Sequence, residues 1–191
     1  MSNSNKVKFG LKNVYYAIAT IAADGTATYG TPKAWPGARS ISLDPQGETT
    51  PWYADDGIYY VSNNNNGYSG DLEMALVSDD FRKDVLGFIV DNNGMLVEPT
   101  DTEVVHFALL FEFSGDANKV RHVFYNCTAT RPSVGSATTE DSTEPQTEST
   151  TITAMPIYVS GYQKHFVKGA VATGDTNYST FFTSVKVPTA S

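Results

Sequence analysis

The chain has 191 residues, a formal net charge of −8, 40% apolar residues, 18% charged residues and 12% aromatics. That size and aromatic content build a core and exclude a disordered chain, while an acidic balance without a basic cluster excludes a binder of phosphate backbones, which needs Lys and Arg to release counterions. One cysteine, Cys127, excludes an intramolecular disulfide and a Cys-rich zinc centre; no apolar run reaches bilayer length, and Met1–Lys6 carries no apolar signal core, so a soluble protein of a reducing compartment is expected.

In chain order, Lys6–Lys12 and Val14–Thr20 read as two short strands. Val7, Phe9 and Leu11 alternate with Lys6, Lys8, Gly10 and Lys12, the period-2 pattern of a half-buried strand with a basic outer face. Asp24-Gly25 is a hairpin turn and Thr26–Tyr29 its return strand. Residues 30–37 read as punctuation, and Arg39, Ile41 and Leu43 share one face of a further strand. Residues 44–68 combine Pro45, Gly47, Pro51, Gly57, the run Asn63–Asn66 and Gly67 with Trp52, Tyr53, Ile58, Tyr59 and Tyr60. A loop of about 25 residues in a compact domain is functional or disordered, and the aromatics argue against disorder. Either it is a surface hairpin with its own small cluster, or it is a long arm that packs on another molecule, since Trp and Tyr favour interfaces.

Residues 70–77 alternate, with Leu72, Met74 and Leu76 on one face. The one convincing helix follows. Ser78 is a suitable N-cap, Asp79 and Asp80 suit the positive end of the helix dipole, and Phe81, Val85, Phe88 and Ile89 make an apolar stripe. Gly87 inside that helix costs up to about 1 kcal/mol, which points to a close neighbour, and Asn92-Asn93-Gly94 ends the element. Residues 103–113 form a strong strand, with Val105, Phe107, Leu109, Phe111 and Phe113 on one heavy apolar face, and Lys119–Thr128 returns beside it. Residues 131–150 are acidic and rich in Ser and Thr, with Glu140, Asp141, Glu144 and Glu148, and read as a solvated loop. Residues 151–159 and 178–187 are further strand candidates. The expected fold is mainly β: a β-sandwich or open barrel with one flanking α-helix, long loops and terminal arms, in a single domain over 1–191.

The chemistry of known sites is largely missing. There is no phosphate-binding glycine loop, no dinucleotide fingerprint and no nucleophile elbow. Asp91-Asn92-Asn93-Gly94 resembles a calcium loop only faintly, because its glycine comes too early and the distal bidentate Glu is missing. His106 and His122 lie on strands expected to pair and to bring them close, but without a placed carboxylate. Cys127 reads as a small apolar filler. Asn126-Cys127-Thr128 and Asn177-Tyr178-Ser179 match the glycosylation sequon, at a frequency chance explains in this composition. No enzyme, no cofactor and no metal are expected.

The order of pieces resembles the major tail protein family of long-tailed, non-contractile bacteriophages, whose members build the tail tube. The resemblance runs through the basic opening Lys6-Val-Lys-Phe-Gly-Leu-Lys12 and the Asn/Gly-rich step into a strand, Asn65-Asn-Gly-Tyr-Ser-Gly-Asp-Leu-Glu-Met-Ala75. It continues through the capped helix Ser78-Asp-Asp-Phe-Arg-Lys-Asp-Val-Leu-Gly87 and the late segment Thr143–Ala154 leading into the last strands. The resemblance implies a virion tail component assembled in the host bacterial cytoplasm. Six subunits would form a ring, and rings would stack head-to-tail around a DNA channel. Its partners would be other copies of itself, the tape measure protein, the tail terminator and distal tail or baseplate proteins, with DNA in transit, not specifically bound, and no membrane. On this reading 44–68 is an inter-subunit arm using Trp52, Tyr53, Ile58, Tyr59 and Tyr60, and 172–191 is a C-terminal strand or arm. The acids Glu140, Asp141, Glu144 and Glu148 are candidates for the lumen or a loop, where six copies at −8 each would repel phosphates. Some members carry an extra immunoglobulin-like decoration domain, for which a chain ending at Ser191 leaves no room. Two rivals stay open: a monomeric β-sandwich that binds carbohydrate or another ligand through Trp35, Trp52 and the tyrosines, and an all-β hydrolase using Asp55 or Asp56.

Overall fold

The computed structural model describes residues 9–116, 118–136 and 146–190. Its strands are β1 (Leu11–Ile21), β2 (Ala27–Tyr29), β3 (Lys33–Ala34), β4 (Ala38–Gln46), β5 (Thr49–Ala54), β6 (Gly57–Asn63), β7 (Gly67–Met74), β8 (Ile89–Val90), β9 (Leu96–Val97), β10 (His106–Phe113), β11 (Arg121–Ala129), β12 (Glu148–Met155), β13 (Ile157–Val159), β14 (Lys164–Phe166) and β15 (Lys168–Val171). The one helix among the described residues, α1 (Asp79–Asp84), lies between β7 and β8.

Nine of these strands form one antiparallel sheet in the order β2-β1-β10-β11-β12-β7-β4, with β3 on the same edge of β1 as β2, and β15 sharing an edge of β11 with β12. The fold is thus mainly β, with one short helix, and consistent with a sandwich. The sheet curls so that Ile41, Leu43, Leu72, Met74 and Ile152 from one half pack with Val14, Tyr16, Phe107, Leu109 and Phe111 from the other. Phe81 from α1 and Trp35 plug this first core, with ring centroids 3.7 Å apart and planes 14° from parallel, and Tyr16 and Phe107 meet Phe81 edge-on. Burying one such ring contributes about 2–3 kcal/mol.

A second core lies on the opposite face of β1, β10 and β11. Ala17, Ala108, Leu110, Val123 and Tyr125 meet Ile157, Val159 and Phe181 there. Phe107 to Phe111 therefore alternate between two cores, so the strand expected to bury one heavy face buries both. Residues 178–187, expected to be a strand, form none: 178–184 run in turns and bends. Phe181 and Phe182 seal this second core, and Arg121 holds the segment down by stacking on Tyr178 and Phe182 at 3.8 and 4.7 Å from the ring centroids.

Other local expectations change for identifiable reasons. Of the first opening strand, Phe9 and Gly10 lie before β1, and Leu11 and Lys12 run through a register slip, where Asn13 takes φ 51°, into the second as one strand, β1; Met1–Lys8 lie outside the described residues. Residues 30–37 are not mere punctuation: they contain β3 and the fully buried Trp35. Leu76 is not on the buried face with Leu72 and Met74 but is 64% exposed, because β7 ends at Met74. The helix is shorter than its apolar stripe suggests. Ser78 caps it by accepting from the Phe81 N–H, but Gly87 at φ +72° stops it, and a Cβ there would lie 2.6 Å from Thr102 Cγ2. Phe81, Val85 and Phe88 do pack in the first core, whereas Ile89 emerges exposed in β8. Asn92-Asn93-Gly94 is the turn between β8 and β9, shaped by Asp91 accepting from the Asn93 and Met95 N–H groups.

Candidate assembly surface

Residues 44–68 run from the ends of β4 and β7 out into a separate two-stranded hairpin, β5–β6. The β4–β7 ladder runs on into the β5–β6 hairpin, bridged by Asn66 N–H to Gln46 O at 2.8 Å and Asn64 N–H to Glu48 O at 3.0 Å. Gly67 at the base has φ +106°, and a Cβ would stand 1.9 Å from the Ala154 carbonyl oxygen, so only glycine fits. The tip is a two-residue turn in which Asp55 and Asp56 both take positive φ, 51° and 59°, with Ala54 facing Gly57. That is the twist-matched hairpin turn for which Asp is suited. The two acids a hydrolase would have used thus shape a turn.

The hairpin's large side chains remain in solvent. Trp52, Tyr53, Ile58, Tyr59 and Tyr60 are each 60–74% exposed, and Val61 is 48% exposed. Trp52 faces Tyr60 across the ladder and meets Tyr59 edge-on at 5.9 Å, and neither core includes any of these residues. Among the described residues β4 closes one side of the sheet, and the short β2 and β3 line the other. A second exposed apolar group, which periodicity does not reveal, sits around β8 and β9: Ile89, Val90 and Met95 are each more than half exposed. Its signal in the sequence is the apolar pairs flanking the Asn-Gly turn.

Of the acids singled out in the sequence, Glu140, Asp141 and Glu144 lie outside the described residues. Glu148 opens β12. Its carboxylate accepts from Arg82 at 2.8 Å and from the Val77 N–H at 2.7 Å, which ties the start of β12 to the foot of α1. Glu112 is the most deeply placed acid among the described residues, accepting from Asn13 at 2.6 Å and Arg121 at 3.0 Å, with Lys12 at 3.3 Å. Burial pushes its carboxyl upward, but Arg121, Asn13 and Lys12 outweigh that and hold it below the usual range.

The remaining candidates are structural. His106 and His122 do not meet: His106 Nδ1 pairs with Asn126 Oδ1 at 2.7 Å, and His122 lies toward the other end of the ladder, opposite Phe111. No group of three or more His, Cys, Asp or Glu residues that would hold a metal occurs among the described residues. Cys127 is fully buried, and burial pushes its thiol well above the usual range. Asn126, the first sequon asparagine, is buried and bonded to His106. Trp35, one of the stacking platforms a ligand-binding module would need, is sealed in the first core. No helix among the described residues is long and apolar enough to cross a membrane.

A two-core β fold that holds five large apolar and aromatic side chains uncovered on a hairpin offers a surface for contact with another molecule. A family described as phage tail tube protein matches residues 1–184, and the chain belongs to that family. It is a structural tail-tube protein, a component of the virion tail that assembles with itself and associates with other tail proteins. No curated protein matches the chain.

Proposed function

We propose that the subunit closes into hexameric rings that stack head-to-tail into the tail tube, a passive conduit with an acidic lumen through which DNA is ejected. The observation that carries this reading is the β5–β6 hairpin: five large side chains held in water on one two-stranded ladder, with no role in either core. Such a group gives up free energy until another surface covers it. Head-to-tail contacts close into rings or extend into filaments, and a tube uses both. The side of β4 away from β7 has no strand partner among the described residues and offers a ladder to a neighbouring subunit, which is also how an exposed sheet edge is kept from indiscriminate pairing. Assembly would take place in the host cytoplasm, with the tape measure protein, the tail terminator and the distal tail proteins as the other contacts.

The test is negative-stain electron microscopy of concentrated protein beside a variant lacking residues 48–66. Gln46 faces Gly67 across the β4–β7 ladder, so the deletion joins Gly47 to Gly67 across one strand spacing. The expected result is hollow rods or rings of uniform diameter from the full chain, and folded, dispersed monomers from the deletion. Normal tubes from the deleted variant would remove the arm from the assembly mechanism.

A further inference from the structure

The dipeptide Asn-Gly occurs twice in the chain, at Asn66-Gly67 and at Asn93-Gly94, and each time another asparagine precedes it. The tripeptides Asn65-Asn66-Gly67 and Asn92-Asn93-Gly94 therefore share one local chemistry. The fold treats them in opposite ways.

Gly67 is buried at the base of the β5–β6 hairpin. Its N–H donates to Asn65 Oδ1 at 3.1 Å, and the Asn66 N–H donates to Gln46 O at 2.8 Å. A Cβ on Gly67 would stand 1.9 Å from the Ala154 carbonyl oxygen, so this stretch of backbone has no room to turn. Moving it means parting the end of the β4–β7 ladder, where Gly67 faces Gln46.

Asn92, Asn93 and Gly94 are all exposed at the tip of the turn between β8 and β9. Beyond the chain neighbours, no atom lies within 4 Å of the place a Gly94 Cβ would take. The ladder behind the turn has only the pairs Ile89–Val97 and Val90–Leu96, and Ile89, Val90 and Met95 are more than half exposed. A segment with so little packing opens locally at low cost. Asp91 holds the tip: its carboxylate accepts from the Asn93 and Met95 N–H groups and from Asn93 Nδ2 at 3.1 Å, and its carbonyl accepts from the Gly94 N–H at 3.1 Å.

We propose that Asn93 is a site of spontaneous modification, at which the folded subunit loses a side-chain amide that the same tripeptide at Asn66 keeps. When the turn opens, the Gly94 nitrogen gives up its proton and attacks Asn93 Cγ. The new N–C bond closes a succinimide, the Cγ–Nδ2 bond breaks, and ammonia leaves with the proton. Water then adds at either ring carbonyl and leaves aspartate or isoaspartate. Glycine admits the attack because it has no Cβ to crowd its nitrogen and turns freely. Either product gains one negative charge. The group that donated to Asp91 becomes a carboxylate, so attraction within the turn becomes repulsion. Isoaspartate also lengthens the main chain by one carbon between β8 and β9. The exposed apolar group around these strands is thus the surface of the subunit that changes with age.

The test is peptide mapping by mass spectrometry of the full chain, kept warm in mildly alkaline buffer, beside a sample unfolded in urea. The readout is the amide-to-acid mass gain at each asparagine. In the folded chain Asn93 should convert at least about tenfold faster than Asn66; in urea the two should convert at similar rates. Asn93→Gln should remove the acidic form that ion exchange resolves, because glutamine closes its larger ring far more slowly. Conversion of Asn66 as fast as Asn93 in the folded chain would overturn the proposal. So would an Asn93 that stays intact in the folded chain, a tenfold gap that persists in urea, or an acidic form undiminished in Asn93→Gln.

Discussion

Trp52 and Tyr60 face each other across the arm and are 60% and 62% exposed. Replacing both by serine should separate assembly from folding. An aromatic side chain has roughly 150–250 Å² to bury, so about 100–150 Å² of each is available to a partner. At ~25 cal/mol per Å² that is about 2.5–3.5 kcal/mol per ring. Ordering the arm and its acceptor takes back about half, which leaves a net loss of about 3 kcal/mol per contact for the pair. A loss of that size raises the critical concentration for tube growth by roughly 100-fold. In the free subunit neither side chain touches a core, so Tm should move by less than about 2 °C. Light scattering over a concentration series reads the first quantity, and thermal unfolding of dilute protein reads the second. An unchanged critical concentration would refute the interface argument. A fall in Tm of many degrees would show instead that the arm is part of the folded core.

Trp35→Ala should cost about 3–5 kcal/mol through the cavity it leaves against Phe81 and Tyr16. Trp35→Phe should stay within about 1 kcal/mol of the natural chain, because the indole N–H has no acceptor among the described residues and its removal offsets lost packing; urea midpoints distinguish the two. Glu112→Gln should cost about 3 kcal/mol near neutral pH by leaving Arg121 without its charge partner. The carboxyl's folded value is held below its unfolded value, so its contribution is complete above about pH 4.3 and fades as pH falls through the lower folded value. The stability gap between Glu112→Gln and the natural chain should therefore narrow in acid, as denaturation at a series of pH values will show. Gly87→Ala should lose about 1–2 kcal/mol, because position 87 sits at φ +72° against Thr102; an unchanged unfolding midpoint would contradict the helix-stop assignment.

Local order was legible wherever one physical signal acted alone. The alternation of Ile41 and Leu43 and of Leu72 and Met74 placed β4 and β7, and the return strand expected over Lys119–Thr128 placed β11. The Asp24-Gly25 pair placed the first hairpin, and Ser78 the start of α1. The exposed aromatics of 44–68 were legible as a likeness of composition to interfaces, though the regular β5–β6 ladder was not. Reading failed where two signals competed or where the deciding partner lay far along the chain. The stripe through Ile89 predicted a longer helix, but Thr102 beside Gly87 and the left-handed backbone there end it. Phe181 and Phe182 alternate with nothing, yet they close a core because Arg121 and Tyr15 wait for them on distant strands.

What the sequence by itself determined is the set of elements and their polarity: which residues form strands, where turns fall, and that a cluster of aromatics stands apart from the periodic core. Those follow from interactions between neighbours a few residues apart. Only the tertiary structure decided that Trp35 is sealed while Trp52 is not, that β10 serves two cores, and that Ser42, Asp71 and Thr151 meet in one row from three separate stretches of chain. Period-2 alternation says that a strand has two faces. Which face is covered, and by what, depends on sheet order and curl, and those are set by pairings between residues as far apart as positions 11 and 113, which no local pattern encodes.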